Sequence, residues 1–289
     1  MTGSRAEPTL ATIRGVAALR ARVAGWRQAG ETIALVPTMG ALHEGHGALV
    51  AAARKAFDRV IVSLFVNPTQ FGPGEDFTTY PRDQAADAGF LGALGVDLLY
   101  APTHDEMYPD GFVTEVSVPG LADVLCGAAR PGHFNGVATV VAKLLTQAAP
   151  DAAYFGEKDY QQLIIIRRVA MDLNLGVRIE GVATVRAPDG LAISSRNAYL
   201  SAQQRAAAPA LYAALNEAAQ SIGDGADMEG ACAHGRAALI AAGFSAVDYF
   251  QCVDVGTLEP VTTRDRPARI LAAAHLGPAR LIDNVAVAG

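Results

Sequence analysis

Two histidines three residues apart, His43 and His46, close the stretch Pro37-Thr38-Met39-Gly40-Ala41-Leu42-His43-Glu44-Gly45-His46, which follows the β-prone run Thr32-Ile33-Ala34-Leu35-Val36. On the first turn of a helix, residues three apart share a face, so both imidazoles can point with the unpaired backbone N–H groups. Such a terminus carries partial positive charge, and glycines let an anion approach the backbone. The chemistry this favours is the handling of a polyphosphate. Taken alone, the stretch favours such a site only modestly over a helix start with two surface histidines.

Four further segments carry groups of a related kind. Asn67-Pro68-Thr69-Gln70-Phe71-Gly72 brings two amides, whose paired donors and acceptors suit the hydroxyl and carboxylate of a small polar substrate. Asn-Pro is also a plain turn signal. Gly156-Glu157-Lys158-Asp159 places Lys158 at a helix start, where an ammonium can bridge phosphate oxygens or stand solvated. Leu191-Ala192-Ile193-Ser194-Ser195-Arg196-Asn197 gathers two hydroxyls and a guanidinium, able to offset charge on phosphates or to cap the helix that follows. Arg130-Pro131-Gly132-His133 offers an anion contact or a packed structural histidine.

These segments need strands that end beside one another. Apolar runs at residues 32–36, 60–66, 96–100, 152–155 and 178–185 are expected strands, and helix-compatible stretches at 47–57, 84–94, 136–147 and 159–173 separate most of them. A further strand is expected at 114–118. The alternation predicts an α/β fold with a Rossmann-like parallel sheet over residues 1–184. Open parallel sheets take ligands beyond the carboxyl ends of their strands, where three of the segments fall. From residue 185 to 289 an alanine-rich helical region, 201–222, precedes a helix at 228–242 and three β-like runs, which predicts a smaller α+β lid domain.

The chain has 289 residues, 51% hydrophobic and 18% charged, with net charge −6 and no long basic run. That balance argues for small-molecule substrates and against nucleic acid or a membrane as partner. Cys126, Cys232 and Cys252 are scattered and odd in number, so neither a disulfide framework nor a zinc site is expected. Residues 1–8 lack the apolar stretch of a signal peptide, and no run of about 18 apolar residues occurs, which predicts a cytoplasmic protein.

Taken together, Pro37 to His46, Asn67-Pro68-Thr69-Gln70-Phe71, Arg130-Pro131-Gly132-His133-Phe134, Gly156-Glu157-Lys158-Asp159 and Ser194-Ser195-Arg196-Asn197 resemble the pantoate–β-alanine ligase (pantothenate synthetase) family. That family lies within the nucleotidylyltransferase superfamily, whose paired HIGH-type and KMSKS-type motifs match His43 to His46 and Ile193 to Arg196. The resemblance implies ATP-dependent joining of pantoate to β-alanine through pantoyl adenylate, with release of AMP and pyrophosphate. It implies candidate catalytic residues His43, His46, Lys158, Ser194, Ser195 and Arg196, with His43 in the family's proton-donor place. Met39, Gly40, Ala41, Leu42, Glu44, Gly45, Gly156, Glu157, Asp159, Val185 and Ile193 complete the implied ATP site, Ile193 standing where the family often has methionine. Gln70 and Gln162, with Asn67 assisting, match the pantoate site, and Asp87 matches an acidic position suited to Mg²⁺. A homodimer through the region of residues 114–118 is also implied. Two other readings stay open: a nucleotidyltransferase that keeps the nucleotide in its product, and a nucleotide sensor without catalysis.

Overall fold

The computed structural model describes residues 10–287. The expectation drawn from residues 1–8 lies outside them. In chain order the elements are β1 (Thr12–Ile13), α1 (Val16–Gln28), β2 (Ile33–Thr38), α2 (Glu44–Ala56), β3 (Arg59–Leu64), α3 (Gln84–Ala93), β4 (Leu98–Tyr100), α4 (His104–Met107), α5 (Cys126–Ala129), α6 (His133–Ala148), β5 (Ala152–Gly156), α7 (Tyr160–Asp172) and β6 (Arg178–Val182). There follow α8 (Ala202–Ala207), α9 (Ala210–Gly223), α10 (Met228–Ala241), β7 (Ala246–Asp254), β8 (Ala268–Leu276) and β9 (Ala279–Ala286). The 3₁₀ turns Pro68–Gln70, Glu157–Asp159 and Ser195–Tyr199 each hold candidate site residues.

The chain divides into two compact units. The first runs through Val118 and takes back Gly132–Gly156 and Ile165–Val182; the second combines Pro119–Pro131, Glu157–Ile164 and the chain from Ala183 on. The expected single cut between residues 184 and 185 is corrected accordingly, because two earlier segments are bonded into the second unit. Gln161 accepts the Cys126 N–H at 3.0 Å and donates to the Leu121 and Val124 carbonyls at 2.8 Å each. Cys126 Sγ lies 2.9 Å from the Tyr249 hydroxyl and 3.4 Å from Arg280 Nη1. Such pairings join residues far apart in sequence, which composition does not reveal.

In the first unit a parallel sheet has the order β1-β4-β3-β2-β5-β6. Ile33, Ala34, Leu35 and Val36 are fully buried, as a central parallel strand covered on both faces requires. Leu35 pairs with Ile61 of β3 on one side and Ala153 of β5 on the other. The chain builds outward through β3 and β4, then returns to lay down β5 and β6. The switch point of the sheet therefore lies between β2 and β5, the place where such sheets bind ligands. Residues 114–118 join no sheet, contrary to expectation, since no strand among the described residues pairs with them.

The second unit sets α8, α9 and α10 with an antiparallel sheet β7-β8-β9, its core including Leu211, Leu215, Ile222, Leu239, Phe250 and Ile270. The expected helix at 201–222 is two helices parted at Ala208-Pro209, because proline has no N–H to continue the ladder. Among the described residues no helix is long and apolar enough to cross a membrane.

Candidate active site

In the first unit, β2 ends with Thr38, whose buried hydroxyl donates to the Ser63 carbonyl at 2.7 Å and fixes the strand end. Gly40 (φ +89°) and Ala41 (φ +52°) then turn through the left-handed region, a strained setting for alanine. The strain is held by Asp87 near the start of α3. Its Oδ2 accepts the Ala41 N–H at 3.1 Å and its Oδ1 the Leu42 N–H at 2.8 Å, and the residue is 5% exposed.

The turn delivers His43 as the N-cap of α2. Its Nδ1 accepts the Gly45 N–H at 3.1 Å, while His46 Nδ1 accepts the His43 N–H at 3.2 Å. The two rings are 4.1 Å apart between centroids. This is a capping box made by histidines in place of the usual hydroxyl and carboxylate. An Nδ1 that accepts an N–H is unprotonated, so in each neutral ring the proton sits on Nε2. Two Nε2–H donors thus stand at the positive end of a helix, with Met39, Gly40, Ala41 and Leu42 in the loop before it and Glu44 and Gly45 in its first turn.

Asn67 and Gln70 form a second cluster. Asn67, 1% exposed, donates to Gln70 Oε1 and to the Gly136 carbonyl, both at 3.1 Å, and accepts from Tyr108 at 2.8 Å and Thr69 Oγ1 at 3.0 Å. Burial holds the Tyr108 phenol above its usual range, against the lowering hydrogen bond with Thr69, so it remains a donor. Both Asn67 donors and both lone pairs of its oxygen are engaged. In this structure the amide orients Gln70. Gln70 Nε2 donates to Met39 Sδ at 3.1 Å, a weak acceptor that a carboxylate or hydroxyl would displace. His133 Nδ1 lies 2.8 Å from the Gln70 carbonyl, which makes this histidine part of the support. Helix α6 approaches closely because residue 136 is glycine; a Cβ there would stand 2.4 Å from the Thr69 oxygen.

In the second unit, Glu157, Lys158 and Asp159 form the turn before α7. The Asn284 amide donates to the Glu157 carbonyl at 2.8 Å and the Lys158 carbonyl at 3.0 Å. Of the adjacent glutamines, Gln161 is 4% exposed and committed to residues 121–126, while Gln162 is half-buried. Ser194 caps the turn Ser195–Tyr199, accepting the Arg196 N–H at 3.3 Å. A narrow ribbon leads into it, with Ile193 N–H on the Val185 carbonyl at 3.0 Å and Ala187 N–H on the Leu191 carbonyl at 2.8 Å. Arg186 on this ribbon makes a two-pronged pair with buried Asp283, at 2.5 and 2.9 Å.

The structure thus brings His43, His46, Gln70, Asn67 and Asp87 together within the first unit, and Lys158, Gln162, Val185, Ile193, Ser194, Ser195 and Arg196 within the second. Gly156 ends β5 in the first unit. Sequence reasoning missed Tyr108, Gln161, Arg186, Asp283 and Asn284. Both Asp87 oxygens receive backbone N–H groups, and among the described residues no three His, Cys, Asp or Glu side chains converge as metal ligands. In this structure Asp87, the expected Mg²⁺ position, serves as a brace for the loop.

The pantoate–β-alanine ligase family profile matches residues 11–286. Pantothenate synthetase of Paramagnetospirillum magneticum is 57% identical over 275 residues, 95% of this chain and 97% of its own length. The crystal structure of pantothenate synthetase from Thermus thermophilus superposes with a TM-score of 0.91 at 48% identity, covering 97% of this chain and all of that one. The pantoate–β-alanine ligase of Francisella tularensis, solved in complex with β-γ ATP and β-alanine, gives a TM-score of 0.82 at 34% identity, with 97% and 99% covered. On this agreement of sequence and fold along nearly its whole length, the chain belongs to the pantoate–β-alanine ligase family.

Proposed function

We propose that the two motif-bearing loops serve the successive charges of one reaction. The chain is an ATP-dependent ligase that condenses pantoate with β-alanine to give pantothenate, AMP and pyrophosphate. A pantoate carboxylate oxygen attacks the α-phosphorus of ATP, and the bond to pyrophosphate breaks with its electrons leaving on pyrophosphate. The β-alanine nitrogen then attacks the pantoyl carbonyl, forming the amide C–N bond as AMP departs and the nitrogen loses a proton. No covalent enzyme intermediate is needed. Catalysis rests on orientation and on stabilising charge as pyrophosphate leaves.

In this reading the Nε2–H groups of His43 and His46 donate to ATP phosphates. The reciprocal cap carries the assignment: it engages both Nδ1 atoms and so puts each ring proton on Nε2, at a helix N-terminus. His43 then stabilises charge chiefly as a donor, proton transfer being secondary for so good a leaving group. Lys158, Ser194, Ser195 and Arg196 neutralise the β and γ phosphates. Met39, Gly40, Ala41, Leu42, Glu44, Gly45, Gly156, Glu157, Asp159, Val185 and Ile193 line the nucleotide site. Gln70, oriented by Asn67, and Gln162 bind pantoate. Mg²⁺, when bound, would supply charge neutralisation for the ATP phosphates, with Asp87 beside the site bracing the loop. The protein works in the cytoplasm as a homodimer, for which residues 114–118 offer backbone outside any sheet of the described chain.

The test is product analysis with ATP, pantoate and β-alanine. The reading expects free AMP and pantothenate to appear together, dependent on both organic substrates. A stable adenylylated product that β-alanine does not discharge would favour the nucleotidyltransferase alternative and overturn it.

A further inference from the structure

We propose that Asp283 and Asn284, adjacent on β9, set the spacing between the two phosphate-handling segments of the second unit, with Asn284 acting as a positioning residue for Lys158. The inference rests on the reading that Lys158 contacts phosphate.

Neighbouring residues of a strand face opposite sides, so one pair can hold two different segments. Asn284, 3% exposed, sends both N–H donors of its amide to successive carbonyls, Glu157 at 2.8 Å and Lys158 at 3.0 Å. Its oxygen accepts from the Arg269 guanidinium, which also reaches Glu157 Oε2 at 3.5 Å and lies 4.2 Å over the Tyr160 ring. The turn that carries Lys158 is therefore held at the Glu157 and Lys158 carbonyls, at the Glu157 carboxylate and at the Tyr160 ring. Asp283, also 3% exposed, grips Arg186, and Arg186 reaches the Gly190 carbonyl at 3.1 Å across the ribbon that leads to Ser194. The link between the two arms is itself fixed, because the Asn284 N–H donates to Asp283 Oδ1 at 2.8 Å. A primary amide is the one small side chain offering two donors and an acceptor at these positions. Aspartate has the same shape but would set oxygen against both carbonyls.

The experiment is a double-mutant cycle on pantoate-dependent exchange of labelled pyrophosphate into ATP, using the full chain, with N284D, K158A and the pair. N284D is expected to lower the exchange kcat by about 10- to 100-fold, the range for misplacing one catalytic contact, while the KM for pantoate stays within about twofold of the parent. In the K158A background N284D is expected to add nothing further. Multiplicative losses in the pair, or a parent-like rate for N284D, would overturn the positioning role. A parent-like rate for K158A would instead overturn the phosphate role of Lys158 and, with it, the premise. If N284D does not fold, N284A removes the donors without adding repulsion and takes its place in the same cycle.

Discussion

The loop that carries His43 and the segments that carry Lys158 and Ser194 are assigned the same ligand, yet different contacts hold them. The first is almost self-contained: His43 and His46 cap each other within four residues, and one carboxylate, Asp87, stabilises the strained turn before them. The second set is held from the far end of the chain. Asn284 lies 126 residues beyond Lys158, and Asp283 lies 97 beyond Arg186. A helix N-terminus supplies its own N–H groups and dipole, so it needs only a defined entry. A lysine on a flexible stem and a narrow ribbon supply no such order and depend on outside anchors.

The contrast can be broken by removing the remotely held group outright. Lys158→Ala is expected to slow adenylate formation by about 10²- to 10³-fold, the usual loss for one preorganised electrostatic contact; a near-normal single-turnover rate would take Lys158 out of the site. The locally held loop is probed at Asp87, the carboxylate that braces its turn. Asp87→Ala leaves the Ala41 and Leu42 N–H groups without an acceptor, about 1–3 kcal/mol each, and the displaced histidines are expected to lower the rate by about 10². Raising the magnesium concentration is expected to restore nothing; recovery with added Mg²⁺ would return Asp87 to the role of metal ligand.

A smaller effect separates substrate binding from phosphate handling. Gln70→Ala is expected to raise the KM for pantoate by about tenfold, from a lost ligand hydrogen bond, and that for ATP much less. Equal rises would contradict this division of labour. The smallest effect touches neither loop. Asp151 is subject to burial, which alone would raise its pKa, but hydrogen bonds from Arg27 and the Ile33 N–H outweigh it and hold it below the usual value. Its contribution to stability is therefore present above the unfolded carboxylate range and lost as pH falls through the lower folded value. Asp151→Asn is expected to flatten the acid limb of a urea-unfolding profile below about pH 4 by under ~1 kcal/mol, since the pair is a third exposed, leaving the KM values unchanged.

What was legible in the sequence follows the same contrast. The β2–loop–α2 unit reads directly, because a buried apolar run, a turn and a cap are all local signals. The turn that holds Gln70 is also marked locally, by Asn-Pro, whereas the bonds of Asn67 are not: only the packing of Tyr108, Thr69 and Gly136 around it shows them to be engaged. Helix α1 is absent from the expected elements, its stripe of Leu19, Val23 and Trp26 being thin among alanines and arginines. That spacing was the signal available. Residues 114–118 have strand character but no partner strand among the described residues, and strand formation depends on the neighbour as much as on the run itself. Asp283 and Asn284 look like ordinary polar residues of an edge strand until their distant partners are seen. Motifs built on local geometry are readable, and anchors built on tertiary pairing are not.

The placement of Asn284 also orders events in time. A ribosome delivers β2, α2 and Asp87 early, so the reciprocal cap and the brace of the histidine loop are made within about the first third of synthesis. The turn at Lys158 emerges next but waits more than a hundred residues for β9 to supply the amide that fixes its carbonyls. A nascent chain stalled before residue 283 would carry every residue assigned to phosphate and pantoate while lacking the hold on half of them. The anchor of the Lys158 turn is therefore among the last parts of the chain to be made.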